Sequence, residues 1–111
     1  MNEVAAAGHG LLIQRRADSQ GVVLFLSGEL DLATAPGLDR ELRAAGEAHP
    51  GRLLVDLRGL QFIDSVGLGS IIRAQQFATA GDHVLSLRRG PAQVQRLFDL
   101  VGLSDRFKFE D

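Results

Sequence analysis

The residues best suited to chemistry in this 111-residue chain lie in Phe62-Ile63-Asp64-Ser65-Val66-Gly67-Leu68-Gly69-Ser70, where a hydroxyl stands at the point at which the pattern turns helical. Asp64 and Ser65 are both good helix N-caps. The unpaired N–H groups and positive dipole end of a helix start favour an oxygen or an anion there. A phosphate on Ser65 fits such a place: it adds about 1.5 to 2 negative charges at neutral pH, which a helix N-terminus accepts without melting. Asp64 has two readings, as a helix cap or as a carboxylate that orients the serine hydroxyl or meets a partner's magnesium. Gly67 and Gly69 fall in the first helical turn, where a glycine costs up to about 1 kcal/mol relative to alanine. Their missing side chains either let a partner's backbone approach Ser65 closely or let the helix pack tightly on a sheet. Asp31, after the second strand, borders the same surface if the strands leading to it and to Ser65 are neighbours.

Other chemistries find little to work with, and the chain reads as a non-enzyme. Serine hydrolysis needs a base within hydrogen-bond reach and an oxyanion site, but His9 lies in a tail, His49 beside Pro50 and His83 at a strand start. All three read as surface residues. No His-x-x-x-His pair or comparable ligand spacing points to a metal. Gly67-Leu68-Gly69 lacks the third glycine of a dinucleotide fingerprint, Ile72 standing in its place, and no phosphate loop exists. No cofactor is implied. Arg88-Arg89 reads as a solvated strand end, with attraction of an acidic partner as the alternative.

The elements that must position Ser65 follow from the apolar pattern. Residues 1–10 lack periodicity and read as a loose tail before a single domain spanning 11–111. Leu11-Leu12-Ile13 and Val22 to Leu26, separated by Asp18-Ser19-Gln20-Gly21, form an antiparallel hairpin. Ala35, Leu38, Leu42 and Ala45 recur at helical spacing, giving a helix that ends near Pro50-Gly51. Leu53 to Leu57 is a third strand, followed by a loop from Arg58 to Asp64 and a helix to about Ala80 with Leu68, Ile71, Ile72 and Gln75 on its inner side. Val84 to Leu87 is a fourth strand. Pro91 then opens a helix whose stripe is Val94, Leu97, Phe98 and Val101, Gly102 stops it, and Phe107 to Phe109 make a last edge strand. This order predicts an α/β domain with a mixed sheet of four or five strands and helices packed on it.

Composition limits the partners. A net charge of −2 and a pI near 5.9 lack the basic excess that nucleic-acid binding requires. No apolar run approaches the roughly 18 residues of a membrane span, and Ala5-Ala6-Ala7 is too short for a signal-peptide core, so the expected location is cytoplasmic. With no cysteine, disulfides and thiolate chemistry are excluded.

Four ordered segments together resemble the STAS family, and more narrowly the bacterial anti-sigma factor antagonists. Gly28-Glu29-Leu30-Asp31 is similar to the family's segment after its second strand, and Val55-Asp56-Leu57 resembles its central strand. Asp64-Ser65-Val66-Gly67-Leu68-Gly69 resembles its Asp-Ser-Ser/Thr-Gly-Leu-Gly signature, and Val94 to Leu103 its third helix and exit. The resemblance implies a domain whose unphosphorylated form binds an anti-sigma factor that is also a serine kinase and so frees a sigma factor. It implies phosphorylation at Ser65, which ends the binding, and a serine phosphatase that restores it. Asp31, Asp64, Ser65, Val66, Gly67 and Gly69 are then the expected partner-binding residues. The alternative is a STAS subunit of a stress-signalling scaffold or lipid-transport complex in which Ser65 is structural. Val66 departs from the pattern by replacing the second hydroxyl. Relatives also continue into a fourth helix after the position of Asp111, so exposed apolar surface or a partner is expected to stand in for it.

Overall fold

A computed structural model of the chain describes residues 2–6, 10–48, 51–81 and 83–110. Six strands, β1 (Asn2–Ala6), β2 (Leu11–Asp18), β3 (Gly21–Leu30), β4 (Arg52–Ile63), β5 (Val84–Arg88) and β6 (Lys108–Glu110), lie side by side in chain order. Three helices, α1 (Ala35–Ala48), α2 (Ser65–Ala80) and α3 (Ala92–Leu100), make the connections. The first three strands run antiparallel, and β3, β4, β5 and β6 run parallel to one another. Tight turns suffice for the antiparallel start, whereas each parallel step from β3 to β5 needs a crossover helix.

Strand alternation decides which face the helices cover. Ile13 pairs with Leu26, Leu24 with Val55 and Val55 with Leu87, so these buried side chains share one face. Leu38 and Leu42 of α1, Leu68 and Ile71 of α2, and Val94 and Phe98 of α3 join the same apolar cluster. The result is two layers with one core. The opposite face carries Gln14, Arg16, Phe25, Leu54, Asp56, Ser86 and Arg88, which alternate with the core set.

The hairpin, the alternation of helices and strands, and the final edge strand match the reading of the sequence; four features differ. Asn2–Ala6 is a strand rather than part of a loose tail, which makes the sheet six-stranded instead of four- or five-stranded. The outer edge of β2 offers a row of unpaired N–H and C=O groups, and β1 pairs with it from Asn2↔Arg16 to Ala6↔Leu12, a backbone ladder that needs no apolar period. His9, His49 and Pro50 lie outside the described residues. Second, Arg58 to Ile63 continues β4 instead of forming a loop. β3 runs on beside it to Leu30↔Ile63, with register shifts between Phe25 and Ser27 and between Gly28 and Glu29 that leave β4 one residue longer each time. Arg58-Gly59 thus marks a bulge, not an end. Third, Pro91 is the N-cap of α3 rather than its first helical residue. Fourth, Val101 is the C-cap of α3 and is 48% exposed, so it leaves the buried stripe.

One glycine of β3 is dictated by its neighbours. Gly28 has φ +108°, and a Cβ there would lie 2.0 Å from the carbonyl oxygen of Gly10. Any other residue would be both strained and in collision.

Candidate functional site

Because β3 and β4 are parallel neighbours that end together at Leu30↔Ile63, the starts of α1 and α2 come to the same edge of the sheet. That edge is where open α/β sheets place their functional groups. Asp64 stands between β4 and α2 with extended backbone. Its Oδ1 accepts from Gly67 N at 2.8 Å and its Oδ2 from Leu32 N at 3.3 Å, while its own N–H donates to Leu30 O at 3.1 Å. Both carboxylate oxygens are therefore occupied by backbone donors. Asp64 is a helix cap that also ties the loop before α1 to the start of α2, and it makes no hydrogen bond to the serine hydroxyl among the described residues.

Ser65 is the first residue of α2; it is exposed and its hydroxyl makes no hydrogen bond among the described residues. Asp31 lies in the adjoining loop, as the sequence anticipates for neighbouring strands. Its Oδ1 accepts from Ala33 N at 3.0 Å and Thr34 N at 3.2 Å. Thr34, buried, returns the bond by accepting from Asp31 N at 3.0 Å and donates its own hydroxyl to Glu29 O at 2.9 Å. This reciprocal arrangement fixes the loop in one shape. Thr34 escaped the sequence reading, although an Asp followed three residues later by Thr before a helix carries the signal.

The two glycines of the motif separate into different roles. Gly67 is buried, and a Cβ on it would come within 2.6 Å of both Leu30 Cγ and Leu30 O. Its cause is close packing of α2 on β3. Gly69 is half-buried, and its nearest obstacle is Arg73 Nη1 at 3.3 Å, the tip of a flexible side chain. Near Ser65 in the chain or through the Asp64 tie to Leu32 stand three exposed apolar residues: Leu32 is 71%, Phe62 48% and Val66 42% exposed. The sequence reading includes Val66 but not Leu32 or Phe62. Apolar residues next to a motif look like core until the strand register turns them outward.

The remaining candidates are structural. His83 Nδ1 accepts from Gly51 N at 3.1 Å and its ring stacks on Phe77. Arg88 lies 3.4 Å from Asp56, and Arg89 sits over the Phe109 ring. Asp56, 2% exposed, receives Arg58 in a bidentate pair at 2.8–3.1 Å and also Arg58 N at 3.0 Å. Burial pushes its carboxyl up, but the side-chain and backbone hydrogen bonds from Arg58 and the charges of Arg58 and Arg88 outweigh this and hold it below its ordinary value of 3.8. Among the described residues, no group of three or more His, Cys, Asp or Glu is placed to hold a metal, and no helix is long and apolar enough to cross a membrane.

Comparison with known proteins places this geometry. The family model described as "Mlab, STAS domain" matches residues 13–109. The anti-sigma-B factor antagonist of Listeria monocytogenes is 30% identical over 91 residues, which make up 82% of this chain and 80% of that protein. Among solved structures, an anti-sigma factor antagonist from Mycobacterium paratuberculosis has a TM-score of 0.77 at 24% identity, over 95% of this chain and 89% of its own. The Bacillus cell fate determinant SpoIIAA in its phosphorylated form has a TM-score of 0.64 at 21% identity, over 89% of this chain and 91% of its own. These two likenesses concern the fold.

Proposed function

We propose that this chain, which belongs to the STAS domain family, acts as an anti-sigma factor antagonist whose binding surface is switched by phosphorylation of Ser65. The observation that carries the reading is an exposed, unbonded hydroxyl at the start of α2, set among the exposed side chains of Leu32, Phe62 and Val66. The curated relative is named an anti-sigma-B factor antagonist, and one structural relative is described in a phosphorylated form. The first supports the antagonist role for this chain and the second the switch.

In its unphosphorylated form the apolar patch docks on an anti-sigma factor that is a serine kinase, and the sigma factor is released. The kinase supplies ATP and magnesium. Ser65 Oγ forms a bond to the γ-phosphorus, the bond from that phosphorus to the bridging oxygen of ADP breaks, and the hydroxyl proton passes to a base on the kinase. Two of the nearest backbone donors are closed to the phosphate. Gly67 N is already bonded to Asp64 Oδ1 and Leu32 N to Asp64 Oδ2, and the Asp64 carboxylate repels a second anion. Because Ser65 is exposed, the phosphate adds its charge to the surface that must dock. Docking would require stripping water from a dianion against apolar surface, so binding is lost while the core stays as it was. A serine phosphatase resets the surface. Val66 leaves Ser65 as the only hydroxyl in the motif core.

A purely structural Ser65, as in a scaffold or lipid-transport subunit, has less to rest on, because its hydroxyl makes no hydrogen bond among the described residues. Calorimetric titration with candidate kinase anti-sigma factors tests the switch. Ser65→Ala is expected to bind as the unmodified chain does, and Ser65→Glu at least about tenfold more weakly. Equal affinity of the two variants would overturn the charge-exclusion mechanism.

A further inference from the structure

Beyond the first turn of α2, the two helices α1 and α2 leave between them a cleft with about 90 Å³ of internal space. Leu42, Leu53, Ala74, Phe77 and Ala78 form its apolar body. Small residues keep it open: besides the two alanines, Gly46 lines the α1 wall, and a Cβ there would press to 3.3 Å from the Phe77 ring. A single water needs about 10–15 Å³ of such space, so the cleft has room for several waters, or for a chain of a few carbons or one edge of an aromatic ring.

The lip of the cleft is polar and favours an anion. Arg73 Nη2 donates to Asp39 Oδ2 at 2.9 Å and to buried Ser70 Oγ at 3.2 Å, so Arg73 and Asp39 neutralise each other. Arg43 also lines the cleft; it is exposed and makes no ion pair among the described residues. The His83 ring, whose Nδ1 accepts from Gly51 N, is a further polar group among the lining residues. With Asp39 matched by Arg73, Arg43 is the remaining charged residue of the cleft lining, while Glu47 lines the adjoining groove with it. We propose that this cleft binds a small monocarboxylate, its short apolar body on Leu42, Leu53 and Phe77 and its carboxylate paired with the planar guanidinium of Arg43.

Titration of the isotope-labelled chain with sodium pentanoate, followed by amide NMR, tests this, with pentanamide as the neutral counterpart. The expected result is saturable shifts confined to residues 42–46 of α1, 70–78 of α2, Leu53 and His83, in the millimolar range. Pentanamide should bind about two- to fivefold more weakly, the scale of a partly exposed ion pair. Arg43→Gln should make acid and amide equal, and Ala74→Leu, by filling the cleft, should abolish both. If Ala74→Leu fails to fold, the comparison of acid and amide on the Arg43→Gln variant decides, since an exposed arginine is replaced without touching the core. No saturable shift, shifts centred elsewhere, or equal binding of acid and amide by the unmodified chain would overturn the proposal.

Discussion

Asp64 shows how much one carboxylate can determine. It closes the first turn of α2 through Gly67 N and holds the preceding loop through Leu32 N, so it shapes the surface around Ser65 without touching the serine hydroxyl. Asp64→Ala is expected to lower stability by about 1 kcal/mol, the usual worth of an N-cap, and to weaken kinase binding further by loosening the Leu32 loop. Urea unfolding and titration measure the two effects; an unchanged unfolding midpoint would contradict the capping role. The sequence discloses the capping role of Asp64 because residue type and position before a helix suffice, and it places Ser65 at the helix start. It cannot separate Gly67 from Gly69, because the difference lies in Leu30, far away in sequence and in contact only with Gly67.

At the scale of elements, β4 is the piece the sequence discloses least. Its apolar half, Leu53 to Leu57, is plain, but Arg58 to Ile63 reads as a loop because bulges break the two-residue alternation that marks a strand. The pairing that restores it comes from β3, whose continuation past Gly28 is visible only in the sheet. β1 is hidden for a related reason: an edge ladder made by backbone groups leaves no apolar period. β4 also carries Asp56, whose charged form is held by Arg58 and Arg88. Its folded-state carboxyl lies below its ordinary value of 3.8, so its ionised form contributes stability above that value, and the contribution fades as pH falls through the lower folded value. Asp56→Asn should reduce stability at neutral pH and flatten the acid limb of an unfolding-midpoint profile extending below pH 3.8. An acid limb as steep as that of the unmodified chain would show that other carboxylates govern it.

For the molecule as a whole, the two-layer arrangement brings the starts of α1 and α2 to one edge and leaves an apolar patch there that the core does not need. Leu32 and Phe62 are 71% and 48% exposed, so Leu32→Ser and Phe62→Ser should leave stability within about 0.5 kcal/mol. Each should weaken docking on the kinase by about tenfold, as truncation of an interface anchor does. Unfolding curves and titrations of the same samples distinguish a lost contact from a damaged fold. The motif and the order of elements could be read along the chain; this patch could not, because exposure is decided by register and by the neighbouring loop. The central claim is that the oxygen of Ser65 accepts the phosphate. Incubation of the full chain with kinase anti-sigma factors, ATP and magnesium, followed by peptide mass spectrometry, locates it directly. The account predicts a single phosphate on the peptide containing Ser65 and none in the Ser65→Ala chain; phosphate on another residue, or on none with its cognate kinase, would contradict it.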